Sequence, residues 1–246
     1  MAANSHSVDL EASSTQFLSR ADEAALDITG NMSFACWADF ESVPVLDRFI
    51  IASKRGGGGN RGWRFAYVTD PDPALEIVIS GDGTNEVTKT VLWTALTVTE
   101  YHVAFAYTAA AGECKFYVDG VQQGDTQTGL PTSIFNNSNA FLIGAQGAGS
   151  QNFDGLLDEA VLTSDVMTST EIGFLQAGWL ATDKVDNIVG YWKFNNDLTD
   201  ASGNSLTLTN NGDATFSTTV PFANYAVAAV ASAVVPMTTN SKFWGG

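Results

Sequence analysis

The stretch ECKFYVDGVQQG, residues 113–124, carries the strongest structural signal in the chain. Apolar side chains alternate at Phe116 and Val118, as expected for a β-strand with one buried face. An Asp-Gly pair follows at once, and this pair supplies the positive φ angles of a two-residue type I′ turn. The stretch therefore predicts a β-hairpin that turns at Asp119-Gly120.

Short strand patterns recur on both sides of this hairpin, separated by turn clusters such as TGN at 29–31 and DPDP at 70–73. Many short strands at regular spacing, joined by Gly, Asn and Asp turns, predict an all-β fold built as an antiparallel sandwich or barrel. The predicted strands are 7–10, 15–18, 32–40, 48–53, 63–69, 75–80, 87–93, 101–107, 114–118, 140–143 and 156–162.

One helix is predicted near the end of this strand-rich region. Thr168 and Glu171 have the spacing of a capping box, in which each side chain bonds the backbone of the other residue. Ile172, Leu175 and Trp179 then fall on one face. We expect this helix to pack on an end of the sandwich.

The charge balance limits the choice of partners. The chain has 246 residues, with 27 acidic and 11 basic side chains, and a formal net charge of −16. Such a surface repels phosphate backbones, which disfavours nucleic acid as a partner. The longest aliphatic run, at 226–235, is about half the length that a membrane span needs, so no membrane insertion is predicted.

The cysteines and the start of the chain bear on the compartment. Cys36 and Cys114 lie at alternating apolar positions, which favours two buried thiols over a single disulfide. The first residues have neither a basic region nor an apolar region, so no signal peptide is visible.

An acid pair interrupts a strand pattern in GLLDEAVLTS, residues 155–164. Burying a carboxylate without a partner costs several kcal/mol. Either one of Asp158 and Glu159 faces water, or a cation compensates the charge.

Several segments together resemble a known family. SVDLEASSTQFLSRADEAALDITGNMSFACWADF, ECKFYVDGVQQG, NAFLIGAQGAGSQNFDGLLDEAVLTSDVMTSTEI and GYWKFNNDLTDASGN are similar to the motifs of laminin-G-like (concanavalin A-like) jelly rolls. The resemblance covers about residues 6–175, and more weakly 187–222. It implies an antiparallel two-sheet jelly-roll sandwich, one sheet concave, with ligands at the rim or in the concavity.

The resemblance also implies a bound calcium ion that ties the first strand to the last. Carried over to this sequence, its ligands are Glu11, the carbonyl of Gly30 and Asp158, with Glu159 turned to the opposite face. Relatives more often have Asp at the first position, and the longer Glu11 changes the geometry there. The alternative is a hydrogen-bonded or solvated acid pair at a strand end.

The resemblance and the composition divide the chain into three parts. Residues 1–180 form the laminin-G-like domain, and 181–222 form an accessory β segment that packs on or extends the sandwich. Residues 223–246 form an Ala/Val-rich tail, for which we predict interaction with a partner; the alternative is docking on the chain itself.

No catalytic constellation is present in the sequence. Enzymes of this fold that cut β-glucans use a Glu-x-Asp-x-x-Glu strand, and none of the glutamates has that spacing. Of the two histidines, His6 lies near the start and His102 matches a structural strand of the family. We therefore predict a protein that is not an enzyme.

The best binding candidate is SKRGGGGNRGWRF, residues 53–65. Arg55, Arg61 and Arg64 are expected to bind carboxylates of an acidic glycan or a neighbouring subunit, with Trp63 as a stacking platform. The alternative is that these bases balance the acidic surface and that Trp63 belongs to the core.

The sequence therefore leads to two functional hypotheses. The first is a calcium-supported binding or adhesion module for glycans or a cell surface. The second is a structural subunit of a larger assembly, such as a phage virion decoration or fibre protein, for which the absent signal peptide and the apolar tail speak. Either places the protein at an extracellular or virion surface.

Overall fold

The computed structural model describes residues 3–226 except Leu46 and Ala148. It has fifteen strands, two α-helices and three short 3-10 turns. The strands are β1 (Ser7–Leu10), β2 (Phe17–Arg20), β3 (Met32–Phe40), β4 (Arg48–Lys54), β5 (Trp63–Val68), β6 (Ala74–Ser80), β7 (Glu86–Leu92), β8 (Glu100–Thr108), β9 (Glu113–Val118), β10 (Val121–Thr128), β11 (Phe141–Ile143), β12 (Gly155–Thr163), β13 (Ile188–Trp192), β14 (Thr209–Asn211) and β15 (Thr215–Ser217). The helices are α1 (Ser169–Gln176) and α2 (Ala181–Lys184), and the 3-10 turns are Ala12–Ser14, Ala24–Leu26 and Ala109–Ala111.

The strands form two antiparallel sheets that stack as a sandwich. The eight-stranded sheet has the order β10-β9-β8-β3-β12-β1-β15, with β13 paired to β12 beside β1. The seven-stranded sheet has the order β14-β2-β11-β4-β5-β6-β7. The predicted all-β two-sheet jelly roll is confirmed, and strands β13, β14 and β15 of the C-terminal region join both sheets.

The hairpin predicted at residues 113–124 is formed by β9 and β10. Val118 pairs with Val121 across the predicted turn, where Asp119 has φ 49° and Gly120 has φ 76°. Two successive positive φ angles are the requirement of a type I′ turn. Asp119 also exchanges hydrogen bonds with the backbone of His102 in β8, so the neighbouring strand holds the turn in place as well.

Aromatic side chains from both sheets meet in the core between them. Phe34 of β3 and Phe105 of β8 contact Phe65 of β5, with ring centroids 6.4 and 5.2 Å apart respectively. All three rings are fully buried. Burying one such ring stabilises the fold by about 1.5–3 kcal/mol, so this layer holds the two sheets together. Cys36 and Cys114 are also buried, as free thiols.

The helices cover the outer face of the eight-stranded sheet. Ile172 and Leu175 of α1 are buried with Ala104 and Val161 of the sheet. The capping box at Thr168 is present as predicted, but α1 ends at Gln176, and Trp179 lies beyond its end. The expectation that this helix packs on an end of the sandwich is therefore wrong: small outward residues leave room for it on the sheet face.

The same outer face is also covered by residues 219–226, here called the covering segment. Its Phe222 ring lies 6.3 Å from that of Trp37 and 5.4 Å from that of Tyr225. Gly178 permits this contact, because a Cβ there would lie 3.2 Å from Phe222 and its φ is +76°. The rest of the predicted tail, including Phe243-Trp244, lies outside the described residues.

Candidate functional site

The alternation of side chains along β5 determines on which face of the sheet two of the predicted binding residues lie. Side chains alternate along a strand, so the adjacent residues Trp63 and Arg64 point to opposite faces. Trp63 is 2% exposed and packs in the core against Phe105 and Phe141. The prediction of Trp63 as a stacking platform is therefore wrong, and Arg64 lies on the outer face of the seven-stranded sheet.

Two arginine–glutamate pairs lie on that outer face. Arg55 donates from Nε to Glu86 Oε1 at 2.5 Å and from Nη2 to Oε2 at 2.9 Å. Arg64 Nε lies 3.1 Å from Glu76 Oε1, and its Nη2 lies 3.0 Å from the same oxygen. These charge-assisted contacts fix the planes of both guanidinium groups.

Gln146 joins the two pairs. Its Oε1 accepts hydrogen bonds from Arg64 Nη1 at 3.3 Å and from Arg55 Nη1 at 3.4 Å. Its Nε2 donates to Gln151, whose own Nε2 donates to Asp47 at 2.7 Å. The side chains therefore form one continuous hydrogen-bonded chain across the face.

Two further arginines extend this arrangement. Arg48 Nε lies 3.7 Å from Glu76 Oε1 and has no hydrogen-bond partner among the described residues. Arg61 Nη1 donates to the carbonyl of Thr84 at 2.7 Å and lies 3.6 Å from Glu86. We call the whole set the Arg–Glu network: Arg48, Arg55, Arg61, Arg64, Glu76, Glu86 and Gln146.

The electrostatics keep the paired groups of this network charged. Burial lowers the pKa of Arg64, against the opposing charge of Glu76. The hydrogen bond from Arg55 to Glu86 raises the pKa of Arg55. Burial acts to raise the pKa of Glu86, but the hydrogen bond and charge of Arg55 bring it below its ordinary value. With four arginines around two glutamates, the network is positive in a chain of net charge −16.

The arginines are recognisable in the sequence, but their partners are not. Glu76 pairs with Ala66 in the sheet register, and Gln146 comes from the loop after β11. The one local signal is Glu76 itself, a single acid within the apolar strand ALEIVIS. The fourth base of the stretch, Lys54, is not part of the face, since it donates to Asp22 at 2.7 Å and Asp27 at 3.0 Å.

The acid pair of β12 lies on the outer face of the other sheet. Pairing with β3 shifts between Asp158 and Val161, and Glu159 has φ 51°. Leu157 before the shift and Ala160 after it both belong to the core. The extra residue of this β-bulge therefore puts both acids on the outer side. The prediction that they face opposite sides is wrong.

Both acids are buried and hydrogen-bonded. Asn4 Nδ2 donates to Asp158 Oδ2 at 2.7 Å, and the Glu159 backbone N–H donates to Asp158 Oδ1 at 2.9 Å. The hydroxyl groups of Tyr191 and Tyr225 donate to Glu159. The alternative of a hydrogen-bonded pair thus matches the observed contacts.

Burial perturbs the titration of the pair. It raises the pKa of Asp158 to about 9, and the charge of Glu159 adds to the effect. Burial also raises the pKa of Glu159 to about 7, against the hydrogen bonds from Tyr191 and Tyr225 and the charge of Lys193. Both carboxyl groups are therefore harder to ionise than the same groups in water.

The structure does not bring the three predicted calcium ligands together. Leu10 pairs with Gly155, which places Glu11 just beyond the sheet end, about 13 Å along β12 from Asp158. Trp37 pairs with Asp158, so Gly30, before the start of β3, lies roughly 20 Å of strand away. This ligand set is corrected, because the register separates its members.

A different carboxylate group surrounds Glu11. Oxygen atoms of Asp9, Glu11 and Glu41 all lie within 4.8 Å of one another. Burial raises the pKa of Glu41, and the charges of Asp9 and Glu11 raise it further. Calcium prefers several carboxylate oxygens, so this group fits the ion better than the predicted set.

His102 is held in a structural position. It is 1% exposed, and its ring centroid lies 5.4 Å from that of Trp37. Burial lowers the pKa of His102 to about 3, so the imidazole stays neutral and sealed. In the described part of the chain, no helix is long and apolar enough to span a membrane.

Comparison with known families gives one match for this arrangement. Residues 12–173 match the family described as the concanavalin A-like lectin/glucanases superfamily. A search of curated proteins returned no match.

Solved structures share the architecture at low sequence identity. A protein from Bacteroides ovatus with an inferred carbohydrate-binding function has a TM-score of 0.68 and 18% identity, covering 87% of this chain and 60% of its own length. The heptameric SAP-like pentraxin from Limulus polyphemus has a TM-score of 0.58 and 8% identity, with 87% and 94% coverage. The CBM40 of the Ruminococcus gnavus IT-sialidase, bound to α2,3-sialyllactose, has a TM-score of 0.54 and 11% identity, with 71% and 100% coverage. The chain thus spans about 60% of the length of the first of these proteins, and the likeness shows a shared fold.

Proposed function

Because the chain belongs to the concanavalin A-like lectin/glucanase superfamily, we propose that it is a non-catalytic module that binds glycans through the Arg–Glu network. The observation that carries the proposal is the pair of guanidinium groups of Arg55 and Arg64, which Glu86 and Glu76 orient so that both Nη1 atoms point at Gln146 on an outer sheet face. Planar donors and acceptors in fixed positions are what a site for sugar hydroxyl and carbonyl groups needs.

The rest of the chain supports a binding role over a catalytic one. The sequence lacks the Glu-x-Asp-x-x-Glu spacing of the glucanases, and His102 is sealed from solvent. Two of the structural neighbours are carbohydrate-binding proteins by description. A glycan or cell-surface ligand is the partner that we propose, with the protein at an extracellular or virion surface.

A glycan array followed by titration calorimetry tests this function. Arg55→Lys keeps the charge but removes the planar fork, so the best glycan should bind at least tenfold more weakly. Arg20→Lys is the matched control, because Arg20 pairs with Glu23 at another edge of the same sheet. Retention of no glycan, or equal binding by Arg55→Lys, would overturn the proposal.

A second candidate function, a subunit of a larger assembly, is favoured by one specific observation. Large apolar side chains are exposed at one end of the sandwich, with Val45 86%, Leu92 71% and Val98 79% exposed. The loop with Val45 is held at this end because the Pro44 carbonyl accepts a hydrogen bond from the Thr69 hydroxyl. The loop with Val98 is held there because the Val98 backbone N–H donates to the Phe40 carbonyl. Exposed apolar patches mark interaction sites. Sedimentation of the protein and of Leu92→Ser/Val98→Ser tests it: self-association that the double variant loses supports this role, and a monomer at all concentrations opposes it.

We propose calcium as a structural ion at Asp9, Glu11 and Glu41. It would add stability by binding only the folded state, about 2.7 kcal/mol when its concentration is a hundredfold above the Kd. Calcium should raise the melting temperature of the protein and of the control Glu113→Gln, but not of Glu41→Gln. A wild-type protein that melts equally in calcium and in chelator would rule this out.

A further inference from the structure

Arg55 and Arg64 each have one nitrogen, Nη1, that is not bound by a glutamate, and both Nη1 atoms point at the same position. The Nε and Nη2 atoms of Arg55 and Arg64 are engaged by Glu86 and Glu76. Their Nη1 atoms both point at Gln146 Oε1. Since arginine only donates hydrogen bonds, the atom at this point must be an acceptor.

The neighbouring side chain determines what else the point accepts. Gln151 Nε2 donates to the carboxylate of Asp47 at 2.7 Å, which turns Gln151 Oε1 towards Gln146. Gln151 Oε1 therefore requires a donor next to the acceptor that the arginines require. The position between the two arginines and Gln151 therefore accommodates one carbonyl oxygen and one N–H, which are the two groups of a carboxamide.

Gln146 is held closely at this position by Gln151, to which its Nε2 donates, but only loosely by the arginines. Its two bonds to the arginines measure 3.3 and 3.4 Å, longer than ordinary N–H···O hydrogen bonds, whereas the glutamate contacts measure 2.5–3.1 Å. Gln146 is partly exposed, and its backbone is held separately by Ser150 at 3.1 Å. Its side chain is thus the replaceable member, and its backbone can stay in place.

We propose that the network recognises sugars that carry an acetamido group, whose carbonyl oxygen and N–H replace those of the Gln146 side chain. This inference rests on the proposed glycan-binding function and narrows its ligand class. A carboxylate fits the Nη1 pair, but its second oxygen would face Gln151 Oε1, and two acceptors repel each other. A lone hydroxyl group reaches the arginines or Gln151, but has no planar geometry to satisfy both.

The test compares matched sugars by calorimetry or NMR titration. N-acetylglucosamine and N-acetylgalactosamine should bind at least tenfold more tightly than glucose, glucosamine and galactose. Gln146→Ala removes the internal competitor and should tighten binding of the acetylated sugars several-fold. Gln127→Ala, on the far edge of the other sheet, is the control and should leave binding unchanged.

The outcomes separate this inference from the function on which it rests. Equal affinity for acetylated and unacetylated sugars, or a preference for sugars whose only distinguishing group is a carboxylate, would overturn acetamido recognition and leave glycan binding intact. Weaker binding by Gln146→Ala would overturn the replacement of its side chain. If no sugar on the array binds, the proposed glycan-binding function itself is overturned.

Discussion

The two sheets of the sandwich use their outer faces differently. On the eight-stranded sheet, α1, α2 and the covering segment pack over much of the face, and the carboxylates of Asp158 and Glu159 are buried. On the seven-stranded sheet, the outer face carries Arg64 and Glu76 in a network that reaches the surface through Arg55 and Gln146. The chain therefore covers much of one outer face, whereas the other presents charged side chains that reach the surface.

Removing part of the cover should have the largest effect on stability. Ile172 is fully buried between α1 and the sheet, so Ile172→Ala should lower the free energy of unfolding by about 2–4 kcal/mol. Thr88→Ala, at an exposed position of β7, should change it by less than about 0.5 kcal/mol. Urea unfolding of both variants measures the contrast, and equal losses would show that the two faces do not differ.

The sealed acid pair should make stability depend on pH. The folded-state pKa values of Asp158 and Glu159, about 9 and about 7, lie above their ordinary values of 3.8 and 4.5. The stabilisation is therefore complete below about pH 4 and is lost as the pH rises through these values. Unfolding free energies at pH 5 and pH 9 should differ by a few kcal/mol in the wild type.

Asp158→Asn supplies the comparison for this pH dependence. The variant keeps a polar group at the position but removes its charge, so it should lose less stability between pH 5 and pH 9. Asp72→Asn, on an exposed turn, serves as the control and should follow the wild type. An unchanged slope in Asp158→Asn would show that other groups cause the pH dependence.

The acid pair also shows which structural features can be predicted from the sequence alone. Strands β1 and β3 begin and end where the alternation of apolar residues predicts, because that pattern is local. Alternation also assigned Asp158 and Glu159 to opposite faces, and a single inserted residue reversed that result. A β-bulge formed by Glu159 at positive φ has no marker in the neighbouring sequence, so only the pairing with β3 reveals it.

In the candidate site, too, some residues can be recognised in the sequence and others cannot. Arg55 and Arg64 stand out in the sequence as bases in an acidic chain, and the alternation along β5 excludes Trp63 once Arg64 is placed outside. Their partners Glu76 and Gln146 come from another strand and a distant loop. Finding them requires the strand register, which no single stretch of sequence contains.

Loosening the helix cap should have a smaller effect on the covered face. Thr168 accepts a hydrogen bond from the Glu171 backbone, and Glu171 accepts one from the Thr168 backbone. Thr168→Ala should lower the free energy of unfolding by about 1 kcal/mol, since one cap is lost but the buried face of α1 remains. Thermal unfolding measures it, and a loss as large as that of Ile172→Ala would mean that the cap, and not packing, holds the helix.

The smallest change in stability is expected on the open face, where the effect should appear in ligand choice instead. Glu86→Gln removes the charge that neutralises Arg55 but leaves an amide oxygen as an acceptor, so the free energy of unfolding should fall by about 1 kcal/mol or less. Arg55, whose charge is then no longer neutralised, should bind carboxylates, which shifts the preference from acetamido sugars towards uronic acids that carry a carboxylate and no acetamido group. Calorimetry with N-acetylglucosamine and glucuronic acid measures this shift. An unchanged preference would mean that Arg55 does not contact the ligand, and a large loss of stability would mean that this face, like the covered one, serves the fold.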